Sequence, residues 1–188
     1  MAEEGKDSLE INAKASEGSL RRKRRFRTAD LVLVGMIAGV YATLTLVEGA
    51  PAFGPINLRF SNVLIGLVPI FGWPAVFGVA LGVFLGNILG PNLGPLDIFL
   101  SPLFSLLGLV LIHYLRRRSV ILGLASYSII LSLWVTYMLT LYIHLQFFPL
   151  FYYTLIGVSA MVLGLAYFLY KSLIAAGIKR RVQSVFPK

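Results

Sequence analysis

The segment Asn57–Asp97, NLRFSNVLIGLVPIFGWPAVFGVALGVFLGNILGPNLGPLD, consists of two apolar runs that meet at Phe71-Gly72-Trp73-Pro74. Gly breaks the first run, and Pro is well placed as a first helical residue of the second. The segment therefore predicts a helical hairpin, its arms spanning about Arg59 to Ile70 and Pro74 to Leu89. Polar residues collect at its open end: Asn57, Arg59, Ser61, Asn62, Asn87, Asn92 and Asp97. An Arg followed by Ser and Asn just inside an apolar helix is costly in hydrocarbon, so it needs a partner or a function. Gly78, Gly82, Gly86 and Gly90 recur every four residues and stripe one face of the second arm, a surface suited to close helix contact.

The rest of the 188-residue chain matches this segment in character. It is 57% hydrophobic and 13% charged, with mean hydropathy +0.82. Soluble domains carry about 25% charged residues, so an all-α membrane protein is expected instead. The net charge of +9 lies mostly in clusters beside apolar runs, Arg21–Arg27, Arg116–Arg118 and Lys171–Arg181. That placement marks cytoplasmic ends of membrane helices and contacts to anionic lipid, rather than a nucleic-acid surface. Cys is absent, which excludes disulfides and thiolate metal sites.

Taken in order, residues 1–27 predict a disordered, basic cytoplasmic tail. A transmembrane domain over 28–178 follows, and 179–188 forms a second basic tail. The first span, Ala29–Val47, carries two small-residue ridges, Gly35/Gly39/Thr43 and Ala38/Ala42. Glu48–Leu58 holds two Pro and two Gly and reads as an outer loop or lid. The arm from Arg59 to Ile70 is short for a crossing of roughly 20 residues. Three further spans run Leu96–Tyr114, bent by Pro102, then Val120–Tyr142 and Phe147–Ala176. Six crossings with both termini inside put every basic cluster on the cytoplasmic side of the plasma membrane.

This topology sends the polar groups to the outer end. Glu48, Asn57, Arg59, Ser61, Asn62, Asn87, Asp97 and Gln146 are the candidate binding residues, with Tyr152 among the nearby aromatic side chains. Converging amides, a carboxylate and rings suit a flat heterocycle with several donors and acceptors. The plain alternative is that Arg59 pairs with Glu48 or Asp97 and the rest is interface chemistry. No catalytic motif, nucleotide-binding loop, metal pair or cofactor signature is present. The chain therefore reads as a transport subunit and not an enzyme, one that must borrow energy from partners to concentrate a solute.

Three stretches, INLRFSNVLIGLVPIFG, GVALGVFLGNILG and GPLDIFLSPLFSLLG, resemble the QueT family, substrate-binding S components of energy-coupling factor (ECF) transporters. The resemblance implies a six-helix bundle that captures a queuosine precursor, a 7-deazaguanine-like base, at its outer face. It also implies a transmembrane T component and two ATPases as partners, with Ala38 and Ala42 packing against the T component. The family's Arg-(Ile/Val)-Ser-Glu pattern here reads Arg59-Phe60-Ser61-Asn62, an amide in place of a carboxylate, whereas Asp97 matches its Gly-x-x-Asp. An S component for a different vitamin, or a non-transporting structural protein, are the other readings of the same residues.

Overall fold

The computed structural model describes residues 28–49, 54, 56–90 and 94–178. The expectations for both tails, for residues 50–53 and 55 of the Glu48–Leu58 loop and for Asn92 fall outside these residues. The described chain is helical: α1 (Thr28–Glu48), α2 (Phe60–Phe71), α3 (Trp73–Leu89), α4 (Pro95–Leu115), α5 (Val120–Ile143) and α6 (Phe147–Ala175). Four of these, α1, α4, α5 and α6, are long and apolar enough to cross a membrane, and α2 and α3 are shorter apolar helices.

Burial explains how such a chain holds together. The interior is built from Ile37, Tyr41, Ile65, Val68, Val79, Leu109, Ile112, Leu124, Tyr127, Val158 and Val162, each at most 5% exposed. The outside is as apolar as the inside, with Val47 81%, Phe148 75% and Phe168 70% exposed among many others. A water-soluble protein does not carry apolar surface of that extent. Hydrocarbon is the solvent these side chains match, and helices satisfy their backbone groups there.

The helices close a ring in the order α1, α3, α4, α5, α6, α2, each packed on the next and α2 back on α1. Close approach of α1 and α3 comes from the glycine stripe. A Cβ at Gly78 would meet Ile37 at 2.9 Å, one at Gly82 would meet Tyr41 at 2.6 Å, and one at Gly86 would meet Thr45 at 3.1 Å. Without hydrophobic drive between helices in lipid, such tight backbone contact is what holds them together.

Two helices depart from ideal geometry, which the apolar pattern does not reveal. The first eight residues of α2, Phe60–Leu67, wind as a 3₁₀ helix, and α6 widens to a π helix over Ala160–Ala166. These irregular segments pack on each other. At the opposite end of α2, Gly72 (φ 70°) makes the turn into α3, a conformation that L side chains rarely adopt. There Arg116 Nη1 donates to the Pro69 carbonyl at 3.2 Å, which satisfies an acceptor at the C-terminal end of α2.

Candidate functional site

The polar ends of α1, α2, α3 and α4 do meet. Thr45 and Glu48 lie on the same face of α1 as Tyr41, one turn apart. Tyr41 hydroxyl donates to Asn62 Oδ1 at 2.8 Å, and Thr45 Oγ1 lies 3.0 Å from Ser61 Oγ. Glu48 Oε1 accepts from the Ser61 backbone N–H at 2.6 Å. Its carboxylate thus serves the N-terminus of α2, which leaves orphan donors like any helix start. On the other side, Arg59 Nη2 donates to Asn87 Oδ1 at 3.3 Å, and Asn87 Nδ2 donates to the Asp97 carbonyl at 3.3 Å. Arg59, Asn62, Asn87 and Asp97 are each at most 7% exposed.

Inside this network lies a recess of about 460 Å³, counting its open mouth, whose depth has space for little more than one water. Its polar lining is Tyr41, Asn57, Arg59, Asp97, Ser101, Ser105 and Tyr127, and its apolar lining is Val83, Leu131, Val135 and Met138. Both tyrosine rings are seated on glycine notches: a Cβ would come within 2.6 Å of Tyr41 at Gly82 and of Tyr127 at Gly108. Tyr127 hydroxyl and Ser105 Oγ are 2.9 Å apart. Asn57 adopts a left-handed backbone (φ 50°), tolerable for Asn, and its Oδ1 is buried without a hydrogen-bond partner. Asn62 Nδ2 is likewise buried and unpartnered. A buried amide left unsatisfied costs about 1–3 kcal/mol, which a matching group on a bound molecule recovers. The recess offers a guanidinium and hydroxyls as donors and a carboxylate and an amide oxygen as acceptors, with two tyrosines in its lining.

Of the candidate residues, Asn57, Arg59 and Asp97 line the recess, whereas Glu48, Ser61, Asn62 and Asn87 brace those lining groups from behind. Gln146 and Tyr152 are exposed, Tyr152 at 64%, and neither lines the recess. Ala38 and Ala42 are 2% and 6% exposed, so the bundle itself covers the pair expected to meet a partner. The small residues that α1 leaves open are Gly35 and Gly39, with nothing within 4 Å of a built Cβ. The spacing missed Tyr41, Ser101, Ser105 and Tyr127. Asp97, Ser101 and Ser105 recur every four residues along an apolar helix, and that polar stripe was the available signal. His113 lies in the last turn of α4 and His144 just follows α5, and no group of three or more potential metal ligands occurs among the described residues.

A family model described as "QueT transporter" matches residues 31–174, from early in α1 to the end of α6. The chain belongs to the QueT transporter family. No curated protein and no solved structure matches it. In QueT terms the matched region contains every residue of the recess and the whole hydrogen-bonded network behind it. It is an integral membrane protein of a transporter family, a non-enzymatic transport subunit that handles a small substrate.

Proposed function

We propose that this QueT protein is the substrate-binding S component of an ECF-type importer, capturing a 7-deazaguanine-like heterocycle from the outer face. The observation that carries the reading is the donor and acceptor set of the recess, Arg59 with Asp97 and Asn57, held between Tyr41 and Tyr127. A flat base with ring N–H groups, an exocyclic amine and a carbonyl complements that set edge-on, while the rings cover its faces. Asn62 supports an uncharged base over one that carries an ammonium side group. Its amide is engaged by Tyr41, and no carboxylate stands there to meet an ammonium group. Both termini lie in the cytoplasm in this reading, and six crossings of the plasma membrane carry the recess to the outside. A T component and two ATPases supply the energy. Docking through Ala38 and Ala42 requires the bundle to uncover them, so contact on α1 starts at its open Gly35/Gly39 ridge.

The test is equilibrium binding to the purified protein in detergent, using 7-deazaguanine, its 7-cyano and 7-aminomethyl derivatives, and a panel of B vitamins. Submicromolar binding of a deazapurine, weakened at least about tenfold by Arg59→Ala or Asp97→Ala, is the expected result. Tight binding of a vitamin with no deazapurine affinity reassigns the substrate. Failure to co-purify with a T component and ATPases removes the ECF assignment.

A further inference from the structure

Asp97 is held from behind by a chain of hydrogen bonds that crosses from α5 to α4. Trp134 Nε1 donates to Ser101 Oγ at 2.6 Å, and Ser101 Oγ donates in turn to Asp97 Oδ1. Trp134, Ser101 and Asp97 are 6%, 5% and 7% exposed, so water does not compete for these bonds. The Trp134 ring is fixed by stacking on Phe104, with centroids 4.3 Å apart and planes 16° apart. Ser101 and Asp97 line the recess, and Trp134 stands outside that lining.

The chain can run in only one direction. An indole N–H donates and cannot accept, whereas a serine hydroxyl has one proton and spare lone pairs. With its lone pair engaged by Trp134, Ser101 directs its only proton to Asp97. Ser101 therefore has no proton left for a ligand, and a ligand group that approaches Ser101 and the Asp97 carboxylate must bring an N–H or O–H. Without the indole, the serine hydroxyl is free to rotate, and it can turn its proton towards a ligand acceptor instead. We propose that Trp134 is a positioning residue for substrate selection, holding the Ser101 proton on Asp97 so that this edge of the recess offers a ligand acceptors only. The proposal rests on the heterocycle-binding reading above, and it adds a residue that does not touch the ligand.

The experiment uses the full chain carrying Trp73→Phe, which leaves Trp134 as the only tryptophan. Without ligand, the indole N–H marker band in ultraviolet resonance Raman spectra reports the bond to Ser101. Ser101→Ala should shift it to the unbonded position, and Ser101→Thr should keep it. With ligand, 7-deazaguanine is compared with 7-deazahypoxanthine, which lacks the exocyclic amine. Ser101→Ala and Trp134→Phe should each weaken 7-deazaguanine about tenfold and leave 7-deazahypoxanthine nearly unchanged, so that discrimination collapses. Ser101→Thr should restore it. A purely structural role for Trp134 lowers both affinities alike, and that result, or a marker band unmoved by Ser101→Ala, overturns the proposal. If the parent protein binds neither base, the heterocycle reading falls. The selection role falls with it, and the Trp134–Ser101 bond is still read separately, because a band that Ser101→Ala leaves in place shows that the bond does not exist.

Discussion

The α1/α3 seam and the α2/α6 seam solve the same problem in different ways. Both bring backbones close where lipid gives helices no hydrophobic reason to associate. Along α1/α3, two regular helices use glycines at four-residue spacing, and Ile37, Tyr41 and Thr45 side chains fill the notches. Along α2/α6, the pitch itself changes, overwound 3₁₀ against underwound π, and glycine meets backbone directly: Gly66 faces the Ala166 carbonyl. Gly157, in the regular part of α6, faces the Ile56 carbonyl just before α2. Neither a Cβ nor a carbonyl can turn aside to admit a methyl group, since the backbone places both, but the carbonyls of the second seam stand closer to the added methyl than the Cβ atoms of the first. Closeness to atoms that the backbone fixes, and not side-chain freedom, grades the two seams.

That contrast can be broken by alanine. Gly66→Ala and Gly157→Ala should cost about 3 kcal/mol or more, the upper end for overpacking, or prevent folding outright. Thermal unfolding of the purified protein in detergent measures this, and a change under 1 kcal/mol at both sites would equate the two seams. Gly82→Ala should cost about 1–2 kcal/mol, because Tyr41 Cβ, at 2.6 Å, gives way only by a small shift of α1. Gly86→Ala, which meets Thr45 at 3.1 Å, should cost less than Gly82→Ala. Glu48→Ala, which removes the acceptor for the Ser61 N–H, should cost about 1 kcal/mol, as loss of a helix cap does. Smallest of all, Gly35→Ala and Gly39→Ala, open on the surface of α1, should be neutral or should stabilise by about 0.5–1 kcal/mol. A clear loss at these last two would show that α1 already has a neighbour on that side in the sample.

The sequence and the structure agree where a signal repeats. Helix ends came within a residue or two of expectation, since Pro74, Pro95 and the arginines after Leu115 punctuate apolar runs. The glycine stripe predicted close contact on α3 and left its partner open. Convergence of Arg59, Asn87 and Asp97 followed from topology alone, as hairpin connections return every second helix end to the same side. The pitch changes in α2 and α6 were not legible, because they arise from packing between helices that are distant in sequence. Tyr41 and Tyr127 were hidden for a related reason. A tyrosine in an apolar helix becomes a recess wall only when a glycine on the facing helix seats its ring, and the facing helix is known only from the fold.

The 3₁₀ winding of α2 also alters how far a short helix reaches. Its eight 3₁₀ residues and four α residues extend about 22 Å, against about 18 Å if all were α, because the rise per residue grows from about 1.5 to about 2.0 Å. That still falls short of a hydrocarbon layer about 30 Å thick. In the proposed arrangement of six crossings, lipid beside the start of α2 dips inward to meet it. In that arrangement a solute travelling to the recess crosses a depression filled with headgroups and water, and its path through oil is correspondingly shortened.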